Sequence, residues 1–378
     1  MGHQLLGRTG ESACSAADVL WQIKPLQGTR SLLVPIDPAR RRQRSLFVGH
    51  HASKIICREA LSTQPTGRHT VALTGATGFV GGHVLENLLA RGHQVRALTR
   101  QKKPPDHKNL IWVDGDLQND AALAQLVGGV DTVLHIAGVI KAVSRSGFFT
   151  GNVDGTRHLL DAINNADMPR YIHLSSLAAR EPAVSAYAAS KAEAEQLVME
   201  SPLEKMATIL RPPAVYGPGD METLFYFKAA TSMLATVPGK PDHRTSMIHV
   251  QDLAAAIVHL VENKKPDPVL IDIHDGQPNG YTIQGVMENV APGRRTRTNT
   301  LYLPRWILRL VGGISTLVGR IFGTNPMLTP GKANELSHPD WVCHGTSLAD
   351  VSAWQPKISG EQGMRETLHW YREHGFLR

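Results

Sequence analysis

Residues 70–82 read Thr-Val-Ala-Leu-Thr-Gly-Ala-Thr-Gly-Phe-Val-Gly-Gly, and the order of their parts decides the fold. Val71, Ala72 and Leu73 form a short apolar run, the pattern of a strand buried on both faces. Gly75, Gly78 and Gly81 follow as G-x-x-G-x-x-G, and Val84, Leu85, Leu88 and Leu89 then recur with a helical period. A strand, a glycine turn and a helix in that order make a cradle for phosphate. Glycine lets the backbone turn sharply and approach closely, and the free N–H groups and positive end of the helix receive the negative charge. Three glycines alone are a weak signal; the strand before them and the helix after them strengthen it.

Outward from this stretch the chain keeps alternating. Residues 94–99, 110–113, 131–136, 171–174 and 208–210 read as strands, and 120–127, 152–162 and 186–200 as helices. Such alternation predicts an α/β fold, a Rossmann-type doubly wound parallel sheet with right-handed crossovers and helices on both faces. Ligands then bind beyond the C-terminal ends of the strands, where every motif singled out here falls. After Gly219 the alternation loosens. Residues 246–254 begin a helix that runs to about 262, 269–273 is one more strand, and Pro/Gly-punctuated helices follow, with Trp341, Trp354 and Trp370 as packing anchors. The expected organisation is a basic, disordered extension over 1–69, a dinucleotide-binding core over 70–219 and a mixed substrate-binding region over 220–378.

Composition narrows the function classes. Residues 1–69 hold ten Lys/Arg and four Asp/Glu, so they carry nearly all of the net charge of +7, and the remainder is close to neutral. The basic balance therefore gives the body no nucleic-acid-binding character. Cys14, Cys57 and Cys343 lie far apart without C-x-x-C spacing, so neither a disulfide framework nor a metal site is expected, and a reducing, cytoplasmic setting fits. The first 69 residues lack the apolar core of a secretory signal. Their basic, acid-poor composition is compatible with an organelle transit peptide, but without a clean amphipathic helix they are read as disordered, or as the product of a start site placed too early. No uncharged apolar run of about 18 residues occurs, so no integral membrane segment is expected. The nearest approach, 306–322, is interrupted by Arg309 and Arg320 and reads as an amphipathic helix or helix pair packed on the body, with contact to a membrane surface or an apolar substrate mouth as the alternative.

Tyr187-Ala-Ala-Ser-Lys191 lies about 110 residues beyond the cradle, with Ser175-Ser176 just upstream. Glycine cradle, Ser and Tyr-x-x-x-Lys in this order resemble the short-chain dehydrogenase/reductase superfamily. The glycine spacing and Arg211-Pro-Pro-Ala-Val-Tyr-Gly-Pro-Gly219 look like its extended branch, the NAD(P)-dependent epimerase/dehydratase family, which also holds 3β-hydroxysteroid dehydrogenase and dihydroflavonol reductase groups. The resemblance spans roughly 70–378. It implies a small discontinuous C-terminal lid over the substrate, and dimerisation through the helices near Asn152 and Tyr187.

The resemblance also implies cofactor contacts by Gly75, Thr77, Gly78, Phe79, Val80 and Gly81 around the turn. Asp116 and Leu117 would hold the adenine edge, Ala137 and Gly138 would pass under the adenosine, and Pro212 to Val215 would pass the nicotinamide amide. At the tip of the second strand, where a carboxylate would accept hydrogen bonds from ribose hydroxyls, this chain has Thr99 and Arg100, with Lys102 and Lys103 behind. The guanidinium fork suits a phosphate dianion, so NADP is favoured over NAD. Exchanging Arg100 for a carboxylate should then shift preference towards NAD.

Tyr187 and Lys191 are i and i+4 on one helix face. A phenol titrates near pH 10, and an adjacent ammonium and a positive nicotinamide ring lower that value. The expected roles are acid/base for Tyr187, electrostatic partner and ribose-binding group for Lys191, and oxygen-holding donor for Ser176 rather than Ser175. Asn152 reads either as an orderer of the active-site helix, by resemblance, or as an ordinary helix cap. His135 and His173 read as satisfied core histidines, and His249 as a core residue or a support to the site. The reading is an NAD(P)-dependent oxidoreductase acting at a carbinol/carbonyl carbon of a small, hydrophobic substrate. Two alternatives are a nucleotide-sugar epimerase or dehydratase, which Ser176 and Tyr187 only eleven positions apart disfavour, and a non-catalytic dinucleotide-binding scaffold or sensor.

Overall fold

A computed structural model describes residues 67–100, 106–267, 269–291, 299–322 and 328–377. The expected disorder of 1–69, Cys14 and Cys57, and Lys102 and Lys103 thus fall wholly or almost wholly outside the described residues.

The first strand, β1 (Thr70–Thr74), is buried along its apolar run because it lies between two neighbours and under helices on both faces. It leads through the glycine turn into α1 (Phe79–Ala90). Then come β2 (Gln94–Thr99), β3 (Leu110–Asp114), α2 (Asp120–Val127) and β4 (Thr132–His135). A helical stretch follows as α3 (Arg145–Phe149), a π-turn at Thr150–Asp154, and α4 (Gly155–Asn164). After it come β5 (Arg170–Leu174), α5 (Ala186–Met199) and β6 (Ala207–Arg211). The second half of the chain contributes β7 (Ala214–Tyr216), α6 (Leu224–Thr231), β8 (Leu234–Pro238), β9 (Arg244–Thr245), β10 (Met247–His249), α7 (Val250–Glu262) and β11 (Leu270–Asp272). It closes with α8 (Ile283–Val290), α9 (Arg305–Phe322), α10 (Pro330–Leu336), α11 (Leu348–Val351) and α12 (Gly360–Glu373).

Seven strands form one parallel sheet in the order β11-β6-β5-β4-β1-β2-β3. The order reverses between β1 and β4, which is the switch point where ligands of such sheets bind. One face is covered by α1 and α7, whose Val84, Leu88, Leu253 and Ile257 are buried with Val71 and Leu73. The other is covered by α2, α4 and α5, where Leu123, Leu159 and Val198 pack with Ala72 and Val133. Removing a fully buried leucine such as Leu88 or Leu159 from these layers would typically cost about 2–5 kcal/mol. A third core, with Phe227, Val237, Val286, Met364 and Tyr371, belongs to the later elements.

Three expectations need correction. Residues 246–249 do not begin the helix: Met247–His249 pairs in parallel with β7, and α7 starts only at Val250, where the His249 side chain accepts the amide of Gln251. The helix expected from 152 begins earlier, and its π-turn holds Asn152 inside the helical run rather than at a cap. Residues 306–322 form one amphipathic helix, but its apolar side is exposed instead of packed on the body. Trp354 is buried as an anchor, and Trp341, packed on His338, also lines the cavity described below and donates its indole N–H to the carbonyl of Glu335 at 2.8 Å.

Candidate active site

The glycine turn is built by close approach. Gly75 has φ +81°, and a Cβ there would lie 2.6 Å from the amide nitrogen of Ala137, so only glycine lets β1 end this close to the end of β4. A Cβ on Gly81 would lie 2.0 Å from the carbonyl oxygen of Gly75. Gly78 precedes α1 with extended backbone and no side chain over the helix end, so the first amides of α1 are left for a ligand.

A groove of about 410 Å³ runs from this turn across the sheet edge. Gly75, Thr77, Arg100, Asp116, Leu117, Ala137 and Gly138 all line it, together with Gly115 and Val139. Asp116 is held in shape by the amide of Gln118 on its Oδ1 at 2.9 Å. Phe79 faces the next cavity instead, Val80 packs against the core, and the Pro212 carbonyl accepts the amide of Leu177. A glycine cradle that a Cβ would fill, an uncapped helix end and a groove of this shape fit a dinucleotide.

Beyond the groove α5 carries Tyr187 and Lys191. Lys191 is 4% exposed and donates from Nζ to the carbonyl of Leu174 at 2.8 Å. Burial pulls its pKa down to about 8, and the nearby Glu195 carboxylate opposes that pull. Tyr187 is pushed up from its ordinary value by desolvation, against a hydrogen bond with Ser176. The Ser176 oxygen accepts the Ala178 amide at 3.2 Å, so its own O–H remains a donor. Ser175 is separated from it: its hydroxyl donates to Glu195 Oε1 at 2.5 Å, in a buried cluster completed by the paired bonds of Arg211 to the same carboxylate.

Asn152 sets the spacing between groove and helix. Its Oδ1 accepts the Val139 amide at 2.7 Å, and its Nδ2 donates to the Val139 carbonyl at 3.1 Å and to Ser190 Oγ at 2.9 Å. One side chain thereby ties the end of β4 to α5 from a π-turn, a distortion often found at functional sites. His135 is buried and bonded at both ring nitrogens, to Thr74 and Thr156, and its pKa falls to about 3. His173 departs from the expectation: Nδ1 meets the Tyr171 hydroxyl, but Nε2 is buried without a partner among the described residues. His249 is buried against Tyr216, with its pKa lowered to about 4.

Tyr187 and Ser176 open onto a cavity of about 280 Å³ whose walls include Phe79, Ile140, Leu177, Phe225, Tyr226 and Trp341. Its polar groups escaped the sequence reading: Glu222, paired with Lys141 at 2.5 Å, and Lys332, paired with Glu335 at 3.1 Å. Lys332 lies 145 positions from Tyr187 in an unpatterned stretch, so no local signal marked it. A second cavity of about 250 Å³ shares Tyr187, Glu222, Lys332 and Glu335 and continues to Thr316 of α9. Asp220 anchors the wall through the amides of Glu222 and Thr223 and the hydroxyl of Tyr371.

The model of the NAD dependent epimerase/dehydratase family matches residues 71–272. The chain belongs to this family. Like the family, it is an enzyme of the extended short-chain dehydrogenase/reductase type, with an oxidoreductase fold built for a nicotinamide dinucleotide. It is 36% identical to the ceramide reductase of Caulobacter vibrioides over 317 residues, which cover 82% of this chain and 96% of that protein. It is 26% identical to a 3-beta-hydroxysteroid dehydrogenase of Mycolicibacterium neoaurum, over 80% of this chain and 91% of the other. Among solved structures, the Bordetella bronchiseptica enzyme WbmH in complex with NAD+ superposes with a TM-score of 0.59 at 19% identity, covering 82% of this chain and all of that one. That likeness concerns the fold.

The buried lysine of this family member has a cost in stability. An unfolded chain keeps the Lys191 proton up to about pH 10.5, while the folded chain releases it near 8. Between those values the unfolded state binds more protons, so this group's contribution rises with pH; below pH 8 its full penalty, on the order of 3 kcal/mol, is present. Lys191→Met is therefore expected to raise Tm at pH 7, with the gain shrinking towards pH 10. A gain that grows with pH, or a Tm below that of the parent at pH 7, would contradict this sign.

Proposed function

We propose that the chain is an NADPH-preferring reductase of a carbonyl group on a long-chain, ceramide-like amphiphile. The observation that carries this reading is the apolar cavity against Tyr187 and Ser176, joined to 36% identity with a ceramide reductase across nearly its whole length. The dinucleotide would lie along Gly75, Thr77, Gly78 and Gly81, over Ala137 and Gly138, with Asp116 and Leu117 at its adenine end. When bound, it supplies the hydride.

The residues of the chain do the rest. Ser176 donates a hydrogen bond to the substrate oxygen, and Tyr187 transfers its phenolic proton to that oxygen as the carbonyl carbon is reduced. The raised pKa of Tyr187 keeps it protonated at neutral pH, which suits an acid. The Lys191 ammonium stabilises the phenolate as it forms. Asn152 holds the groove floor and α5 at fixed spacing, acting as a positioning residue. Residues 220–341 supply about half of the cavity wall, and Glu222, Lys332 and Glu335 offer polar partners to a head group.

The test combines purified protein and NADPH with long-chain 3-oxo amphiphiles and, separately, with nucleotide sugars, following nicotinamide absorbance and product. Net cofactor oxidation with the ketones and none with the sugars is expected. Sugar epimerisation without net cofactor change would overturn the reading in favour of an epimerase.

Arg100 is exposed at the groove edge and serves as the proposed reader of the 2′-phosphate. Arg100→Asp is expected to cut the NADPH-over-NADH preference by about tenfold or more, roughly the loss of one charge-assisted contact. The check is the ratio of kcat/KM for the two cofactors, and an unchanged ratio would place discrimination elsewhere.

A further inference from the structure

Helix α9 is amphipathic in the wrong sense for a helix that stops at the protein body. Leu308, Gly312 and Gly319 are its buried positions, and a Cβ on Gly312 would lie 2.8 Å from Thr329, so small residues lay it against the start of α10. The opposite side is apolar and in solvent: Trp306, Leu310, Ile314, Leu317 and Ile321 are all more than half exposed, up to 69% at Ile321. At about 100° per residue these five fall within an arc of about 80°. Val311, Val318 and Phe322 widen the stripe on one side, and Arg305 and Arg309 border it on the other.

The charged side chains that border this face on α9 are Arg305 and Arg309. From residue 289 to 334 the sequence has no Asp or Glu and seven Lys/Arg. An exposed apolar stripe bordered by arginines, in an acid-free stretch, complements a surface that is apolar beneath and anionic at its rim. Among the described residues no helix is long and apolar enough to cross a membrane, so the fit is to lying on a bilayer. The inner side of α9 also reaches the site, since Thr316 lines the cavity that holds Tyr187.

We propose that α9 docks the enzyme on the surface of an anionic phospholipid bilayer, with Trp306, Leu310, Ile314, Leu317 and Ile321 inserted and Arg305 and Arg309 at the phosphates. The mouth of the catalytic cavity then lies beside the lipid. This proposal uses the geometry of α9, and its test does not involve turnover, so it stands or falls separately from the substrate reading.

Full-length protein is floated with phosphatidylcholine vesicles, with and without phosphatidylglycerol, at low and high salt. Binding is expected with phosphatidylglycerol, weakened by salt. The double variant Leu310→Glu/Leu317→Glu, both at exposed positions, is expected to lower the bound fraction at least about tenfold while dinucleotide binding and far-UV circular dichroism stay unchanged. As an independent readout, tryptophan emission should shift to the blue on vesicle addition and be quenched by brominated lipid in the parent, and both signals should weaken in Trp306→Phe. Vesicle binding equal in parent and double variant would assign it to the basic residues 1–69 and overturn the proposal. So would a double variant that loses only self-association, which would give the face to a second copy, or a parent that ignores anionic vesicles.

Discussion

Tyr187→Phe is expected to lower kcat for carbonyl reduction by about 10²–10⁴-fold, the range that a positioned general acid contributes. Nicotinamide dinucleotide affinity should stay within about threefold, a change below about 1 kcal/mol. The change removes one oxygen and leaves the ring, its 6.1 Å contact with Phe148 and the α5 backbone in place. The expected effect is large because nothing else replaces the proton donor. Ser176 is an alcohol, and Lys332 is engaged with Glu335. His135 and His173 are buried in the sheet with pKa values well below neutrality. Fluorescence titration of the reduced cofactor and single-turnover absorbance measure the two quantities separately. A variant that keeps more than a tenth of the parent rate would take the phenol out of the reaction. A protein that retains its whole biological activity with phenylalanine there would be a dinucleotide-binding scaffold.

Gly81→Ala is expected to weaken dinucleotide binding by at least about a hundredfold and to lower Tm, because the added methyl would sit 2.0 Å from the Gly75 carbonyl oxygen. No rotamer relieves a Cβ contact, so either α1 must slide away from β1 or the turn must open. Overpacking of a tight interior costs about 1–3 kcal/mol, and more where backbone must move. Both routes displace the N-terminal amides of α1 beside the glycine turn, so stability and binding are expected to fall together. Gly82→Ala is the control: a Cβ there would find its nearest neighbour at 3.8 Å, an ordinary contact, and little change is expected. Equal behaviour of the two variants in thermal unfolding and cofactor titration would show that the close approach is not needed.

Much of the scaffold was legible because its signals are local. The apolar run of β1, the three glycines and the recurring strand–helix pattern each lie within a dozen residues, and the parallel sheet follows from their order. The spacing of Tyr187 and Lys191 likewise foretold one shared helix face. Edges were less legible: Met247–His249 is a strand ahead of α7 because it finds β7 as a partner, which no window of sequence contains. The π-turn at Asn152 comes with bonds to Val139 and Ser190, thirteen and thirty-eight positions away.

Taken alone, the chain's order of residues determined a buried strand, a glycine turn, a helix and a phenol–amine pair one helical turn apart, since each depends on period, propensity and sterics between near neighbours. Tertiary structure alone decided that Ser175 turns to Glu195, that Glu222, Lys332 and Glu335 gather at one cavity, and that α9 shows its apolar side outward. A helical period reveals that a face is apolar; which side the body covers depends on where distant segments pack, here on the small residues of α9 seating against Thr329.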